Sequence, residues 1–196
     1  MTDPAPIVAL READPDQLAR AVLAVMTAEP TRARRLHDGA RASIEEALAA
    51  AAEEAAASAR WFQALVELGW LVASADGFDP AERRSMATLL AAVTGEAVDH
   101  ALLEQHLAEL AEQVEIMGRS QRLARAAAEL GDLVAAGLAA SDDAVTFATL
   151  VCLADGRLEA AEHAALVELG GWLALDAAAV RARIAALAAE VEARLS

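Results

Sequence analysis

Two stretches of this sequence, ASADGFDPAER and LADGRLEAAEH, gather carboxylates around an Asp-Gly pair. In both, another acid follows the glycine within a few residues, and a glutamate stands three residues beyond that acid. Carboxylate oxygens are the ligands that Ca²⁺ and Mg²⁺ prefer, and carboxylates brought together repel one another unless a cation neutralises them. If the two stretches adjoin in the fold, they predict a divalent-metal site with six candidate ligands: Asp76, Asp79, Glu82, Asp155, Glu159 and Glu162.

Helix capping explains most of the same residues without a metal. Residues 79–82 have the order expected at a helix start, with an acid at the N-cap, proline at the first helical position and glutamate at the third. Glu159 and Glu162 repeat this arrangement as a capping box. Neither stretch fits the EF-hand loop, because glycine directly follows the first aspartate. Both interpretations stay open, and Asp76 and Asp155 are the acids that capping explains least.

No set of residues for nucleophilic catalysis is recognisable in the sequence. The single cysteine, Cys152, lies in an apolar run, which is typical of a small core residue. The four histidines do not follow a zinc-binding spacing, and the chain has no lysine for phosphate-loop or Schiff-base chemistry. We therefore expect a protein that is not an enzyme. A metal-dependent hydrolase at the pooled acids is a further alternative, although no nucleophile–base pair accompanies them.

The charge of the chain excludes some partners. The formal net charge is −15 and the pI is near 4.6, so a phosphate backbone is repelled and nucleic acid is not an expected partner. Two arginine clusters are interpreted as solvated helix faces that offset neighbouring acids: Arg32, Arg34 and Arg35, and Arg119, Arg122 and Arg125. The acidic start carries no secretion signal, and no apolar stretch is long enough to cross a bilayer. We therefore expect a cytoplasmic protein without membrane insertion.

Composition and periodicity predict an all-α fold. Hydrophobic residues make up 57% of the chain and aromatic residues only 3%, so the core is expected to form by close packing of alanine, leucine and valine on helices. Apolar residues follow a helical spacing from Asp16 to a stop before Pro30, and residues 1–14 are expected to lack regular structure. Asp38-Gly39 is expected to separate a short helix from a long one over residues 40–75.

The chain is expected to divide into two parts. An N-terminal helical extension is predicted over residues 1–60, whose last third is rich in alanine and glutamate, and a helical domain over residues 61–196. Within the domain, Ser141 and Asp176 are expected to begin helices. The three tryptophans stand among leucines at helical spacing, which favours core positions: Trp61, Trp70 and Trp172.

The doubled Ala-Asp-Gly pattern resembles the tellurite-resistance TerB-like family, which includes the N-terminal domain of a membrane-anchored DnaJ-type co-chaperone. The family signature is an alanine-rich apolar helix that ends in Ala-Asp-Gly, followed by an apolar residue, a cap and a glutamate that opens the next helix. The matches here are residues 75–82 and 154–162, and the resemblance covers residues 61–195. The first copy is one residue shorter between its aspartate and its glutamate than the second.

The resemblance implies an all-α bundle of about seven helices in which the two Asp-Gly turns lie side by side. It implies a divalent cation at these turns, and a module that engages a protein partner in a stress-response, tellurite-resistance-type or membrane-associated assembly. The oxygen ligands of the six acids favour Ca²⁺ or Mg²⁺ over Zn²⁺ as that cation. A different hypothesis describes a structural assembly protein with no metal site, in which the N-terminal helices mediate oligomerisation or docking. Neither hypothesis identifies the partner, and both are compatible with a homo-oligomer.

Overall fold

A computed structural model of the chain describes residues 7–47, 53–75, 77, 80–94, 100–137 and 140–195. This part of the chain contains nine α-helices and a ribbon of two short strands, which confirms the predicted all-α fold. The helices are α1 (Pro15–Met26), α2 (Pro30–Ala47), α3 (Glu53–Ala73), α4 (Pro80–Thr94), α5 (His100–Met117), α6 (Arg119–Ala135), α7 (Ser141–Cys152), α8 (Ala160–Trp172) and α9 (Ala177–Arg194). The strands are β1 (Val8–Ala9) and β2 (Arg157–Leu158), and a single 3₁₀ turn, Leu153–Asp155, joins α7 to β2.

The helix α3 lies at the centre of the bundle, in contact with α2, α6, α7 and α8. Every residue from 64 to 73 is buried, which explains why the second half of this helix is apolar on nearly all sides rather than along one stripe. The side chains of Leu65, Leu68 and Leu71 are at most 1% exposed. The other helices therefore pack around a central helix that has almost no solvent face in its second half.

The N-terminal helices belong to the same core. α1 packs against α4, α7 and α9 with a buried strip that includes Val22, Val25 and Met26, and α2 packs against α3 and α4. The predicted boundary at residue 60 lies inside α3, and residues on both sides of it contribute to one hydrophobic cluster. The division into an extension and a domain stays a prediction, and it now concerns whether residues 61–196 fold on their own.

Residues 30–47 form one continuous helix, so the expected break at Asp38-Gly39 is wrong. Gly39 is buried in the contact between α2 and α3. A Cβ atom on this residue would lie 2.9 Å from the Cβ of Phe62 and 2.9 Å from the carbonyl oxygen of Ser58. The glycine therefore permits the close approach of two helices, a role in which the missing side chain matters more than backbone freedom.

Two arginines that are predicted on solvated faces instead donate hydrogen bonds to carbonyl oxygens at the ends of helices. Arg32 is 6% exposed and donates from Nε to the carbonyl oxygen of Met26 at 2.7 Å and from Nη2 to that of Val25 at 3.1 Å. Arg119 donates to the carbonyl oxygens of residues 71 and 74, at 2.7 Å from its Nη1 to the first. Because the last carbonyls of a helix have no partner within it, these guanidinium groups stabilise the C-terminal ends of α1 and α3.

Two further members of the arginine clusters, Arg35 and Arg122, form ion pairs with buried acids. Only Arg34 and Arg125 have the exposure that the sequence interpretation assigned to all of them. The interpretation as solvated faces is therefore wrong for four of the six arginines. Their guanidinium groups bind carbonyl oxygens or carboxylates of other helices instead of water.

The tryptophans divide between the core and the surface. Trp61 and Trp70 are buried as expected, at 2% and 6% exposure, and Cys152 is buried as expected. Trp172 is 54% exposed, so its expected core position is wrong. The reason is that the buried face of α8 is formed by Leu166, Leu169 and Gly170, and Trp172, the last residue of the helix, lies off this face. None of the described helices combines the length and the hydropathy needed to cross a bilayer.

Candidate functional site

The second Asp-Gly pair forms a tight reversal between α7 and β2. The 3₁₀ turn closes with a hydrogen bond from the backbone nitrogen of Gly156 to the carbonyl oxygen of Leu153, at 3.0 Å. Gly156 has a φ of 93°, in the left-handed region that glycine enters without strain. Asp155 Oδ1 accepts a hydrogen bond from the backbone nitrogen of Arg157 at 2.8 Å, as in an Asx turn. Asp155 therefore has a structural role that helix capping does not predict.

The start of α8 confirms the predicted capping box. Glu159 is the N-cap residue, and its backbone nitrogen donates to Oε2 of Glu162 at 2.7 Å. Glu162 is only 3% exposed, whereas Glu159 is half-buried. Both carboxylates stand at the N-terminus of α8, where the N–H groups without helical partners and the helix dipole stabilise negative charge. The helix itself thus accounts for two of the three acids around the second turn.

The first Asp-Gly pair lies largely outside the described residues. Asp76 and Asp79 are not among them, and Glu82 lies in the first turn of α4 with its side chain outside the description. The elements on either side of the pair are described. α3 leads into the first pair and packs against α7, which leads into the second. α4 leaves the first pair and packs against the 3₁₀ turn of the second.

Within the described part of the chain, no three histidine, cysteine, aspartate or glutamate side chains form a group that could hold a metal ion. This part includes three of the six predicted ligands: Asp155, Glu159 and Glu162. Asp155 and Glu162 accept backbone hydrogen bonds that shape the turn and start the helix. The site of six carboxylates stays a prediction, because it also depends on the three acids of the first turn.

The N-terminal segment lies along the second turn, although residues 1–14 were expected to lack regular structure. β1 pairs antiparallel with β2, and the backbone nitrogen of Leu10 donates to the carbonyl oxygen of Gly156 at 2.9 Å. Arg11 then binds Glu192 of α9 through its backbone nitrogen at 3.0 Å and its Nε at 2.7 Å. The expectation is wrong for Val8–Ala9, because strands of two residues leave no periodicity that a sequence can display.

Two buried acids were not singled out in the sequence. Glu67 is 7% exposed and pairs with Arg122, and Asp143 is 3% exposed and pairs with Arg35. Burial raises the pKa of both carboxyl groups above their ordinary values, and the partner arginine in each case opposes part of this rise. The signal that could have revealed them is an acid within an apolar helical run, as in LVELGW and SDDAVTF.

No protein-family model, curated protein or solved structure matches the chain. The resemblance to the TerB-like family therefore rests on the two Ala-Asp-Gly stretches and stays a prediction.

Proposed function

We propose that the chain is a TerB-like module without enzymatic activity, which engages a partner protein through an acidic face at its two Asp-Gly turns. The partner assembly is of the stress-response, tellurite-resistance or membrane-associated kind that the resemblance implies. A divalent cation, Ca²⁺ or Mg²⁺ in preference to Zn²⁺, binds at this face and neutralises part of its charge.

The packing of α4 against the 3₁₀ turn, Leu153–Asp155, is the observation that carries this proposal. The two carboxylate-bearing segments are far apart in the sequence, yet the elements that flank them are in contact at two places. α4 packs against the 3₁₀ turn, and α3 packs against α7. Carboxylates that share a small volume repel one another, and a cation relieves this repulsion. The contact between flanking elements therefore supports one shared acidic face over two separate turns.

Arg119 bears on the strength of cation binding at this face. Its guanidinium group binds the carbonyl oxygens of residues 71 and 74, directly before the first Asp-Gly pair. A fixed positive charge near the acids reduces the repulsion that a metal ion would otherwise relieve. We therefore expect an exchangeable ion that modulates the face, and not a structural ion on which folding depends.

Calorimetric titration with Ca²⁺, Mg²⁺ and Zn²⁺ tests the metal part. Asp155→Asn is the informative variant, because asparagine keeps an oxygen that can accept from the backbone of Arg157 while the charge is lost. Asp76→Asn makes the same change at the first turn, and Asp132→Asn on the exposed face of α6 is the matched control. We expect binding heat for Ca²⁺ or Mg²⁺ in the wild type and the control, and none in the two turn variants. Silence for every ion removes the metal from the proposal.

Co-purification tests the partner part. Tagged wild type, Asp155→Asn and Asp132→Asn chains are isolated from the cells that express the protein, in the presence and absence of a chelator. We expect a protein that accompanies the wild type and the control but not Asp155→Asn. Equal recovery with all three chains would contradict an acidic binding face at the turns.

The alternative function assigns partner binding to the N-terminal helices. The apolar strip of α1, which includes Leu18, Val22 and Val25, is buried in the core of the same chain. This strip is therefore occupied by the chain itself. The acidic face is the better supported binding surface of the two.

A further inference from the structure

The helices α2, α7 and α9 contribute to a second group of charged residues, which includes none of the acids of the Asp-Gly turns. We call it the arginine junction, and it consists of Arg32 and Arg35 from α2, Arg183 from α9, and Asp142 and Asp143 from the first turn of α7. Glu29, which accepts from the backbone nitrogen of Arg32 at 2.6 Å, adds a third acid beside the two aspartates. The arginine junction therefore balances three arginines against three acids, in a chain whose net charge is −15.

Arg35 and Arg183 reach neighbouring positions on one face of α7. Nη2 of Arg35 pairs with Oδ2 of Asp143, and Nε of Arg183 donates to Oγ1 of Thr146 at 3.2 Å. Residues three apart on a helix are neighbours, with about 5–6 Å between their Cβ atoms. The two guanidinium groups therefore contact neighbouring side chains on one face of α7.

Both guanidinium groups keep donors for a ligand. In the described structure, Arg183 makes its hydrogen bond through Nε and Arg35 makes its own through Nη2, which leaves the two Nη atoms of Arg183 and Nη1 of Arg35 for a ligand. The Nε of Arg35 also has no acceptor, but it is buried. The side chain of Arg35 is 29% exposed and that of Arg183 is half-buried, so solvent reaches both groups. Charge-assisted hydrogen bonds from such donors are the strong ones, and arginine suits phosphate because its planar fork matches two oxygens at once.

Arg32 adds a fixed positive charge behind the pair. Its Nε and Nη2 donate to the carbonyl oxygens at the end of α1, which holds the guanidinium group against that helix end. Burial lowers the pKa of Arg32 below its ordinary value, the charge of Asp143 opposes this shift, and the charge of Arg183 adds to it. Arg183 therefore lies close enough to Arg32 to be repelled by it, and a bound anion would relieve that repulsion.

We propose that Arg35 and Arg183 bind a phosphate group, either free, on a small molecule or in a lipid headgroup. A phosphate dianion suits the pair, because its tetrahedral oxygens can accept from both guanidinium groups together. Asp143 is a positioning residue, since its ion pair holds Arg35 in place. This site involves different elements and the opposite ligand charge from the acidic face, so either proposal can fail without the other.

Calorimetric titration of the full-length protein with inorganic phosphate, at constant ionic strength, tests the site. Arg183→Gln is the main variant, because Thr146 loses only one hydrogen bond and no buried acid is left unpaired. Arg181→Gln removes the same charge from an exposed position of α9 and is its matched control. Arg35→Gln and its exposed neighbour Arg34→Gln form a second pair, with circular dichroism to verify folding in each case.

We expect Arg183→Gln to weaken phosphate binding at least about tenfold, as the loss of charge-assisted hydrogen bonds requires, and Arg181→Gln to change it less than about twofold. Cosedimentation with phosphatidylcholine vesicles, with and without an equal part of phosphatidylglycerol, distinguishes a lipid headgroup from a free phosphate. Binding to the anionic vesicles alone, lost in Arg183→Gln, assigns the site to a headgroup. Absence of binding to both probes, or equal binding by Arg183→Gln and the wild type, overturns the proposal.

Discussion

The guanidinium group of Arg122 on α6 faces both carboxylate oxygens of Glu67 on α3, and neither residue is more than 8% exposed. Nη2 donates to Oε2 at 2.6 Å, and Nε lies against Oε1. A pair removed from water loses hydration on both sides, so the removal of one partner leaves a buried charge without compensation. The pair connects the central helix to α6 and makes the interface between them sensitive to single substitutions.

Substitution of the arginine alone is therefore expected to be severe. Arg122→Met should lower the free energy of unfolding by about 3–5 kcal/mol, whereas the double variant Glu67→Leu/Arg122→Met should recover most of the loss. Urea denaturation followed by circular dichroism measures both. Arg125→Met is the control, because Arg125 pairs with Glu129 on the exposed side of the same helix and should change stability by less than about 1 kcal/mol. Similar values for the two single variants would contradict a buried pair.

The raised pKa of Glu67 gives stability a defined pH dependence. The folded-state pKa lies above the ordinary value of 4.5, chiefly because of burial, so the folded protein binds this proton more tightly than the unfolded chain. The contribution of Glu67 is fully present below pH 4.5 and is lost as the pH rises through the raised pKa. The raised pKa of Asp143 gives a pH dependence of the same sign. This contribution is present in both the wild type and a Glu67→Gln variant, so it cancels in the difference between them.

Urea denaturation of the wild type and Glu67→Gln between pH 4.5 and pH 8 measures this contribution. We expect the wild type to lose stability relative to Glu67→Gln as the pH rises across this range. A difference that stays constant, or that grows in favour of the wild type, would show that the paired arginine outweighs burial.

Gly39 provides a test of helix packing. Gly39→Ala places a methyl group 2.9 Å from Phe62 Cβ, so α2 and α3 must separate, at a cost of about 1–3 kcal/mol. Gly131→Ala is the matched control, because it lies inside α6 with no neighbouring atom within 4 Å of the added carbon. We expect it to stabilise the protein by about 0.5–1 kcal/mol through helix propensity. Thermal unfolding measures both changes in stability, and a loss for Gly39→Ala with a gain for Gly131→Ala confirms close packing at residue 39. A gain for both variants would show that residue 39 has room for a side chain.

Ala174 is the one described residue other than glycine with a positive φ, at 57°. It follows α8 in a Schellman arrangement, in which Leu175 N donates to the carbonyl oxygen of Gly170 at 2.8 Å. Ala174→Gly should raise stability by about 0.5–1 kcal/mol, because glycine enters the left-handed region freely. The same substitution at the exposed Ala185 inside α9 should lower stability by a similar amount. Thermal unfolding of both variants checks the two signs.

Helix starts with a local chemical signal were predictable from the sequence. Asp176 caps α9 and accepts from the backbone of Ala178 and Ala179, and the capping box at Glu159 opens α8 as expected. In both cases the cap and the groups it satisfies lie within four residues, so the interaction is local. The same holds for the turn at Gly156, where the local reversal requires a positive φ.

Features that depend on distant partners were not predictable. The sequence predicts a break at Gly39, because it does not show that this residue packs against Phe62 of another helix. Arg32 and Arg119 were assigned to solvent, because their acceptors are backbone carbonyls at helix ends that become available only in the fold. The second turn shows the same division: the hydrogen bond that Asp155 accepts from Arg157 is local to the turn, whereas the contact of α4 with the 3₁₀ turn depends on packing between distant elements.

The pairing of β1 with β2 joins segments that are synthesised far apart in time, so it forms late. A nascent chain presents Val8 long before the ribosome has released Leu158, and Arg11 before Glu192 exists. α1 is synthesised before every helix that covers it, since α4, α7 and α9 all follow it in the chain. Its apolar strip is therefore covered in stages and stays partly exposed until α9 has been made, a condition that favours aggregation and chaperone binding. Ribosome-bound fragments that end before α9 should retain that partial exposure.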